Sequence, residues 1–273
     1  MTDLSERPAD ALSERNPRVV SAVKLHRTAN RRKTGQFLAE GANSVAAALD
    51  TGRVQELFYS AGAAAREHEL VAGAAGSGVR TTLVSDRAAQ LLGETVTAPG
   101  LVAVCELIDV PLAEVLAANP LMLAVPVEIA EPGNAGTLIR VADAVGAQGV
   151  VLAGETVDPH NGKCVRASAG SLFHVPIARC RDIAETLDAI AAAGITILAT
   201  AADGEVDLDD ADALLAGPVA WLFGNEAHGL DPAVAARADH RVRIPIHGRA
   251  ESLNLAAAAS ICLYASARVQ HAK

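Results

Sequence analysis

From residue 121 onward the chain repeats a single pattern: a short continuous apolar run, then a longer stretch of helical periodicity or loop. The runs are Leu121 to Val127, Gly149 to Ala153, Ile195 to Thr200 and Val219 to Phe223, and a further strand-like stretch, Arg241 to Ile244, alternates arginine with Val242 and Ile244. Strands that are apolar throughout have no solvent face, and helical segments between them serve as crossover connections. The pattern therefore predicts an α/β unit over 121–273 whose parallel sheet is covered by helices on both faces.

Three of these stretches lead into loops of similar composition. The first loop and helix start is Glu131-Pro132-Gly133-Asn134-Ala135-Gly136-Thr137-Leu138-Ile139-Arg140. The second is Gly224-Asn225-Glu226-Ala227-His228-Gly229-Leu230. The third runs from Ile244 through Pro245, Gly248, Glu251, Ser252, Leu253 and Asn254 into an Ala-rich helix that opens at Leu255. Ligand sites of open α/β sheets form where strands end. Ser and Asn at a helix start add side-chain polar groups to free backbone N–H groups, which suits a small polar ligand.

Individual residues carry less than the set. After Gly136, residues Leu138, Val141, Ala142 and Val145 form an apolar stripe that ends at Gly146, a C-cap. Arg140 lies about 200° from Leu138 and points away from the core, toward solvent, a partner or a substrate. Glu226 can accept hydrogen bonds from a ligand or hold Arg140 in a bidentate pair; alone it reads as a turn carboxylate. Ser252 reads as the cap of the last helix. Asn254, in its first turn, is a poor helix former that needs a tertiary contact. His228 and His247 lack the spacing of a metal pair or a triad, and neither G-x-G-x-x-G nor the Walker A pattern occurs.

The 273 residues, 51% apolar, allow one large or two modest domains. No apolar run reaches the roughly 18 residues of a membrane span. Met1 to Asp10 is charged rather than signal-like, which predicts a cytoplasmic protein. Cys105, Cys164, Cys180 and Cys262 form no C-x-x-C pair and read as reduced core residues. The net charge of −9 is unevenly spread. Arg15, Arg18, Lys24, Arg27, Arg31, Arg32 and Lys33 form a basic stripe without an acid, whereas Asp203, Glu205, Asp207, Asp209, Asp210 and Asp212 form an acidic run without a base. The stripe suits phosphate contact or a solvated helix face, and the run suits a solvated loop.

Along the chain, 1–14 reads as a disordered tail, 15–108 as a compact α/β unit, 109–120 as a linker and 121–273 as the second unit. The first unit is expected to hold a helix near Pro17 to Arg27 and strands at Phe37 to Ala39, Val54 to Ser60, Arg80 to Val84 and Leu101 to Ile108.

In their order and spacing, the three loops resemble the three signature motifs of the SpoU (TrmH) branch of the SPOUT methyltransferases, and Glu251-Ser252-Leu253-Asn254 is the most specific part of the match. These are RNA ribose 2′-O-methyltransferases that use S-adenosylmethionine. The first half is similar to the family's small substrate-binding domain, a fold shared with ribosomal RNA-binding proteins, through Asn16-Pro17-Arg18-Val19-Val20 and Phe37-Leu38-Ala39-Glu40-Gly41.

The resemblance implies a deep C-terminal trefoil knot, an exception to ordinary connection rules. It also implies an obligate homodimer with the site at its interface and no metal. Main-chain groups of Thr200, Leu222, Gly224, Ile244 and Leu253 would hold the cofactor. Asn134, Arg140, Glu226, Ser252 and Asn254 match the polar residues associated with catalysis, and Arg166, Ser168 and Gly170 match a further segment near the site. Glu128 and Glu131 stand where the family usually has Asp. Arg18, Lys24, Arg27, Arg31, Arg32, Lys33 and Arg166 are the expected RNA contacts. Large-subunit rRNA is the expected target; the alternatives are a tRNA or an RNA-binding module without catalysis. A SPOUT enzyme acting on a base nitrogen is disfavoured by the Glu-Ser-Leu-Asn signature.

Overall fold

The computed structural model describes residues 11–95 and 98–272. The chain forms two compact units, 1–107 with 160–173, and 108–159 with 174–273.

The first unit is built on four strands, β1 (Gln36–Glu40), β2 (Val54–Tyr59), β3 (Arg80–Leu83) and β4 (Leu101–Glu106). They lie in the order β1-β4-β2-β3, with β4 antiparallel to both neighbours and β2 parallel to β3. Val19, Leu25, Phe58, Leu92 and Val102 centre a core under the helix Pro17–Val23, which a 3-10 turn at Lys24–His26 ends earlier than its pattern suggests. Residues 1–10 of the expected tail lie outside the described residues. Residues 11–14 are built into the unit instead of trailing from it: Leu12 bridges Val84, and Glu14 pairs with Arg87.

Segment 160–173 packs with the first unit although its sequence neighbours belong to the second. Val165 and Cys164 are buried, and Phe173 stacks on the buried Phe37 at 5.8 Å. Gly170 adopts φ +103, and a Cβ there would lie 3.1 Å from the Asn43 carbonyl oxygen. These are long-range contacts, and the local pattern of His160 to Phe173 does not announce them.

The second unit holds a seven-stranded, wholly parallel sheet: β5 (Met122–Pro126), β6 (Gly149–Ala153), β7 (Ile177–Cys180), β8 (Thr196–Thr200), β9 (Val206–Asp207), β10 (Val219–Phe223) and β11 (His240–Arg243). The order is β7-β6-β5-β10-β8-β11-β9. Five strands stand where the sequence pattern predicts them, four of them at apolar runs. The other two, β7 and β9, are edge strands of four and two residues with half-exposed positions, too short and too polar to give a run.

Alternation along the strands sends Leu123, Val125, Val151, Ala220 and Leu222 to one core, shared with Leu187 and Ile190 of the helix Ile183–Ala192. The segment expected as a linker belongs to this core. Val110 donates its N–H to Ile177, the helix Leu112–Ala117 follows, and Val115 is buried against the sheet. On the opposite face lie the helices Pro132–Val145, ended by Gly146 in the left-handed conformation, and Leu255–Gln270. Trp221, fully buried, donates its indole N–H to Ser266 Oγ of the last helix at 2.8 Å. Burying an indole contributes roughly 4–6 kcal/mol at 25 cal/mol per Å². Packing therefore dominates here, and the hydrogen bond keeps the polar tip satisfied.

Candidate active site

The C-terminal ends of β5, β8, β10 and β11 open onto a cleft of about 560 Å³. Its walls include Asn134, Thr200, Gly224, Glu226, Leu253 and Asn254, so all three loops reach it. Each strand delivers its loop at one edge of the sheet because all seven run parallel.

Hydrogen bonds join the loops across long sequence separations. Asn254 Nδ2 donates to Asn134 Oδ1 at 3.1 Å, and Asn134 Nδ2 donates to Glu226 Oε1 at 3.0 Å. The Glu226 carboxylate also accepts the main-chain N–H groups of Glu131 at 3.1 Å and Ala130 at 3.2 Å. Asn254 Oδ1 accepts from Ala256 N at 2.9 Å and Ala257 N at 3.3 Å, so Asn254 caps the last helix, the role expected of Ser252. The cap is a local reason for its place at a helix start, and the bond to Asn134 is the tertiary one.

Partial burial pushes the Glu226 carboxyl up, but the hydrogen bonds from Asn134 and from the N–H groups of its own residue, Ala130 and Glu131 outweigh it and hold it below the ordinary carboxylate range. An ionised, well-supplied acceptor orients its neighbours and is a poor proton acceptor. Thr200 Oγ1 donates to the Leu222 carbonyl at 3.0 Å, tying β8 to β10 at the cleft floor. Gly224 is dictated by close approach: a Cβ there would lie 2.2 Å from Gly229 C and Leu230 N. The chain can fold back on itself only without a side chain, which leaves bare backbone facing the cleft.

Of the ten residues expected to form the site, Asn134, Glu226, Ser252, Asn254, Thr200, Gly224, Ile244 and Leu253 line the cleft. Leu222 is buried in β10 beneath it. Arg140 is exposed on the outer face of its helix and does not line the cleft. It does not pair with Glu226, whose oxygens are taken by Asn134 and the main chain. Ala201, Ala202, Ile246 and Glu251 also line the walls. Sequence reasoning passed over them because small and apolar loop residues carry no chemical signal, although Glu251 stood inside the third motif.

The basic stripe divides. Arg31 is 2% exposed and donates to the carbonyls of Leu25 and His26 and to Thr28 Oγ1, each at 2.9 Å. Arg18 is held by Glu56 and Thr82. Arg166 pairs with the buried Glu40 at 3.0 Å and with Glu94 at 3.5 Å. Arg31 is an architectural tie, a correction to its expected place among the RNA contacts, whereas Arg18 and Arg166 are ion-paired but still partly exposed. Ser168 and Gly170 lie in the same segment, with Ser168 fully buried. Lys24, Arg27, Arg32 and Lys33 are exposed.

The acidic run is likewise no plain solvated loop. Arg241 donates to Glu205 at 2.8 and 3.1 Å and to Asp203 at 3.2 Å, Arg243 to Asp207 at 3.1 Å, and Arg268 to Asp212. Among the described residues, no three His, Cys, Asp or Glu side chains converge as a metal site, and no helix is long and apolar enough to cross a membrane.

Comparison with known proteins finds two matches along the chain. The profile of the SpoU rRNA Methylase family matches residues 122–264, and that of the MRM3-like substrate binding domain matches 16–103. The chain is 34% identical over 253 residues to the 23S rRNA (guanosine(2553)-2′-O)-methyltransferase RlmP of Bacillus subtilis (strain 168), covering 92% of this chain and 96% of that protein. It is 33% identical over 268 residues to the 23S rRNA (uridine(2479)-2′-O)-methyltransferase of Streptomyces viridochromogenes, covering 95% and 92%. The AdoMet-bound rRNA methyltransferase from Sinorhizobium meliloti superimposes with a TM-score of 0.83 at 34% identity, covering 94% of this chain and 96% of that one.

Proposed function

This chain belongs to the SpoU rRNA methylase family, and from that premise we propose that it methylates a ribose 2′-hydroxyl of large-subunit ribosomal RNA in the cytoplasm, using S-adenosylmethionine. The observation that carries this reading is the convergence of three chain-distant loops in one cleft, linked from Asn254 through Asn134 to Glu226. Both full-length relatives named above are 23S rRNA 2′-O-methyltransferases, which favours rRNA over tRNA.

The cleft fits the cofactor. Its volume of about 560 Å³ lies within the roughly 300–1,000 Å³ of small-molecule sites. Bare backbone at Gly224 and the main chain of Thr200, Leu222, Ile244 and Leu253 are the groups that would hold it. When bound, S-adenosylmethionine supplies an electrophilic methyl group on a sulfonium.

The residues of this chain supply placement. Glu226, ionised and fully engaged, fixes the start of the helix Pro132–Val145, and Asn134 and Asn254 clamp the third loop onto it. Ser252 stands in the cleft wall, able to orient the incoming hydroxyl. Arg140 carries the positive charge for the developing alkoxide or a neighbouring phosphate; its guanidinium is all donor and no acceptor, so it is not the base. It lies six residues past Asn134, about 240° around the helix and about 9 Å along it, so it does not complete the cleft of its own chain. A homodimer with the site at its interface would bring Arg140 in from a second copy. The exposed Ile261 and Tyr264 on the adjacent last helix suit such a contact. The trefoil knot is part of this reading, supported by the third loop passing along the ends of β8 and β10 before the last helix returns beneath the sheet.

Incubating the purified chain and methyl-labelled S-adenosylmethionine with protein-free large-subunit rRNA and, in parallel, with tRNA tests the reading. Label is expected in an alkali-resistant dinucleotide; transfer only to tRNA, or only to a base, overturns the assignment. Changing Arg140 to Ala is expected to abolish transfer while cofactor binding persists, and unaltered turnover would remove Arg140 from the mechanism.

A further inference from the structure

We infer that Asn225 is a positioning residue for methyl transfer, its side-chain amide fixing the loop that presents Glu226. The inference rests on the role proposed above for Glu226. Asn225 Nδ2 donates to the Glu128 carbonyl at 2.7 Å, and its Oδ1 accepts the Ala227 N–H at 2.8 Å. The amide orientation follows from chemistry, since the flipped group would set oxygen against a carbonyl and NH₂ against an N–H. Its main chain exchanges two hydrogen bonds with Gly229, at 2.9 and 2.8 Å, closing the loop that holds Glu226.

The acceptor is itself held in an unusual conformation. Glu128 has φ +52, in the left-handed region that a residue with a side chain enters at a cost, and its N–H donates to Ala153 at 2.9 Å. That turn redirects the chain after β5 so that the N–H groups of Ala130 and Glu131 meet the Glu226 carboxylate. The loop after β10 is thus fastened to the loop after β5 at adjacent residues, once through the Asn225 amide and once through the Glu226 carboxylate. A carboxylate pinned on one side only can pivot about its own side-chain torsions. The Asn225 tie removes backbone freedom one residue away, and with it the freedom of Asn134 and Asn254 further along the same hydrogen-bonded chain.

Asn225→Asp keeps the volume and the acceptor for Ala227 but loses the donor to Glu128. We expect kcat for rRNA methylation to fall about tenfold to a hundredfold, the order of a small misplacement of reacting groups. KM for RNA and the cofactor dissociation constant measured by calorimetry should stay within about threefold of the parent. Combining it with Glu226→Gln separates positioning from bulk stability, because a residue that acts through Glu226 adds little once Glu226 is changed. Losses that multiply in the double variant, or parental kcat in Asn225→Asp beside an impaired Glu226→Gln, overturn the inference and leave the Glu226 reading standing. Parental kcat in Glu226→Gln overturns both.

Discussion

The two units put their polar side chains to opposite uses. The first carries fourteen Lys and Arg against twelve Asp and Glu, the second nine against twenty. In the first, several charged groups tie elements together: Arg31 on the carbonyls of Leu25 and His26, Arg18 on Glu56, Arg166 on Glu40. In the second, the polar residues of the site gather at strand ends, where they bridge loops about a hundred residues apart around a cavity. Charge alone does not mark the functional surface. In the function proposed above, an acidic unit can hold the cofactor because main-chain groups would do the holding, while the near-neutral unit would meet phosphate through exposed cations such as Arg32 and Lys33.

The comparison breaks most decisively at Gly224. Adding one methyl group there forces a Cβ to within 2.2 Å of backbone atoms that cannot give way, so the loop must open. Gly224→Ala is expected to weaken S-adenosylmethionine binding by about a hundredfold or more in calorimetry, the equivalent of about 3 kcal/mol. The first unit should melt unchanged. Near-parental affinity would mean that backbone approach does not shape the cleft.

Arg31→Ala makes the converse test. The buried Leu25 carbonyl and the half-buried His26 carbonyl and Thr28 hydroxyl lose their donor, and the expected destabilisation is about 3 kcal/mol, read as a lower denaturation midpoint. Cofactor affinity should be retained. A variant as stable as the parent but deficient in RNA binding would return Arg31 to the contact surface.

The same contrast explains which features are legible in the sequence. The second unit is legible because most of its strands are continuous apolar runs and its loops repeat one chemical composition, both local signals. The edge strands at Ile177 and Val206 are not, since two to four half-exposed residues produce no periodicity. The helix around Val115 is hidden by the prolines that make its segment resemble a linker. The membership of segment 160–173 in the first unit rests on Phe173 meeting Phe37 and Arg166 meeting Glu40, pairings more than a hundred residues apart that no local pattern encodes. The basic stripe misleads for a related reason: Arg31 and Arg32 are adjacent in sequence and alike in chemistry, yet one is 2% exposed and the other faces solvent. In the cleft, the motif residues are identifiable, whereas the ties that hold them, Asn225 to Glu128 above all, depend on a backbone turn visible only in three dimensions.

Arg32 and its neighbour Lys33 sharpen the comparison at smaller magnitude. Replacing both with Ala removes exposed charge from a helix end, so stability should change by less than about 0.5 kcal/mol. RNA affinity should fall several-fold, and the slope of log affinity against log salt should become shallower by about 0.7–0.9 for each phosphate that is no longer neutralised. An unchanged slope would place the RNA elsewhere on the first unit.

The smallest effect expected is the pH response of Glu226, which is exposed enough for solvent to screen much of its interaction. Its carboxyl titrates lower in the folded chain than the ordinary value of 4.5, because Asn134 and the N–H groups of Ala130 and Glu131 favour the charged form over the opposing effect of burial. A depressed carboxyl contributes stability that is complete above the unfolded value and is lost as pH falls through the folded one. Cofactor affinity and melting temperature attributable to this residue, taken as the difference between the parent and Glu226→Gln, should therefore be level above about pH 5 and shrink only on further acidification. A difference that already declines between about pH 7 and 6 would require a raised carboxyl. Glu226 would then be a candidate proton acceptor, and the cleft of the second unit would hold a titrating base where the hydrogen bonds now place a fixed anion.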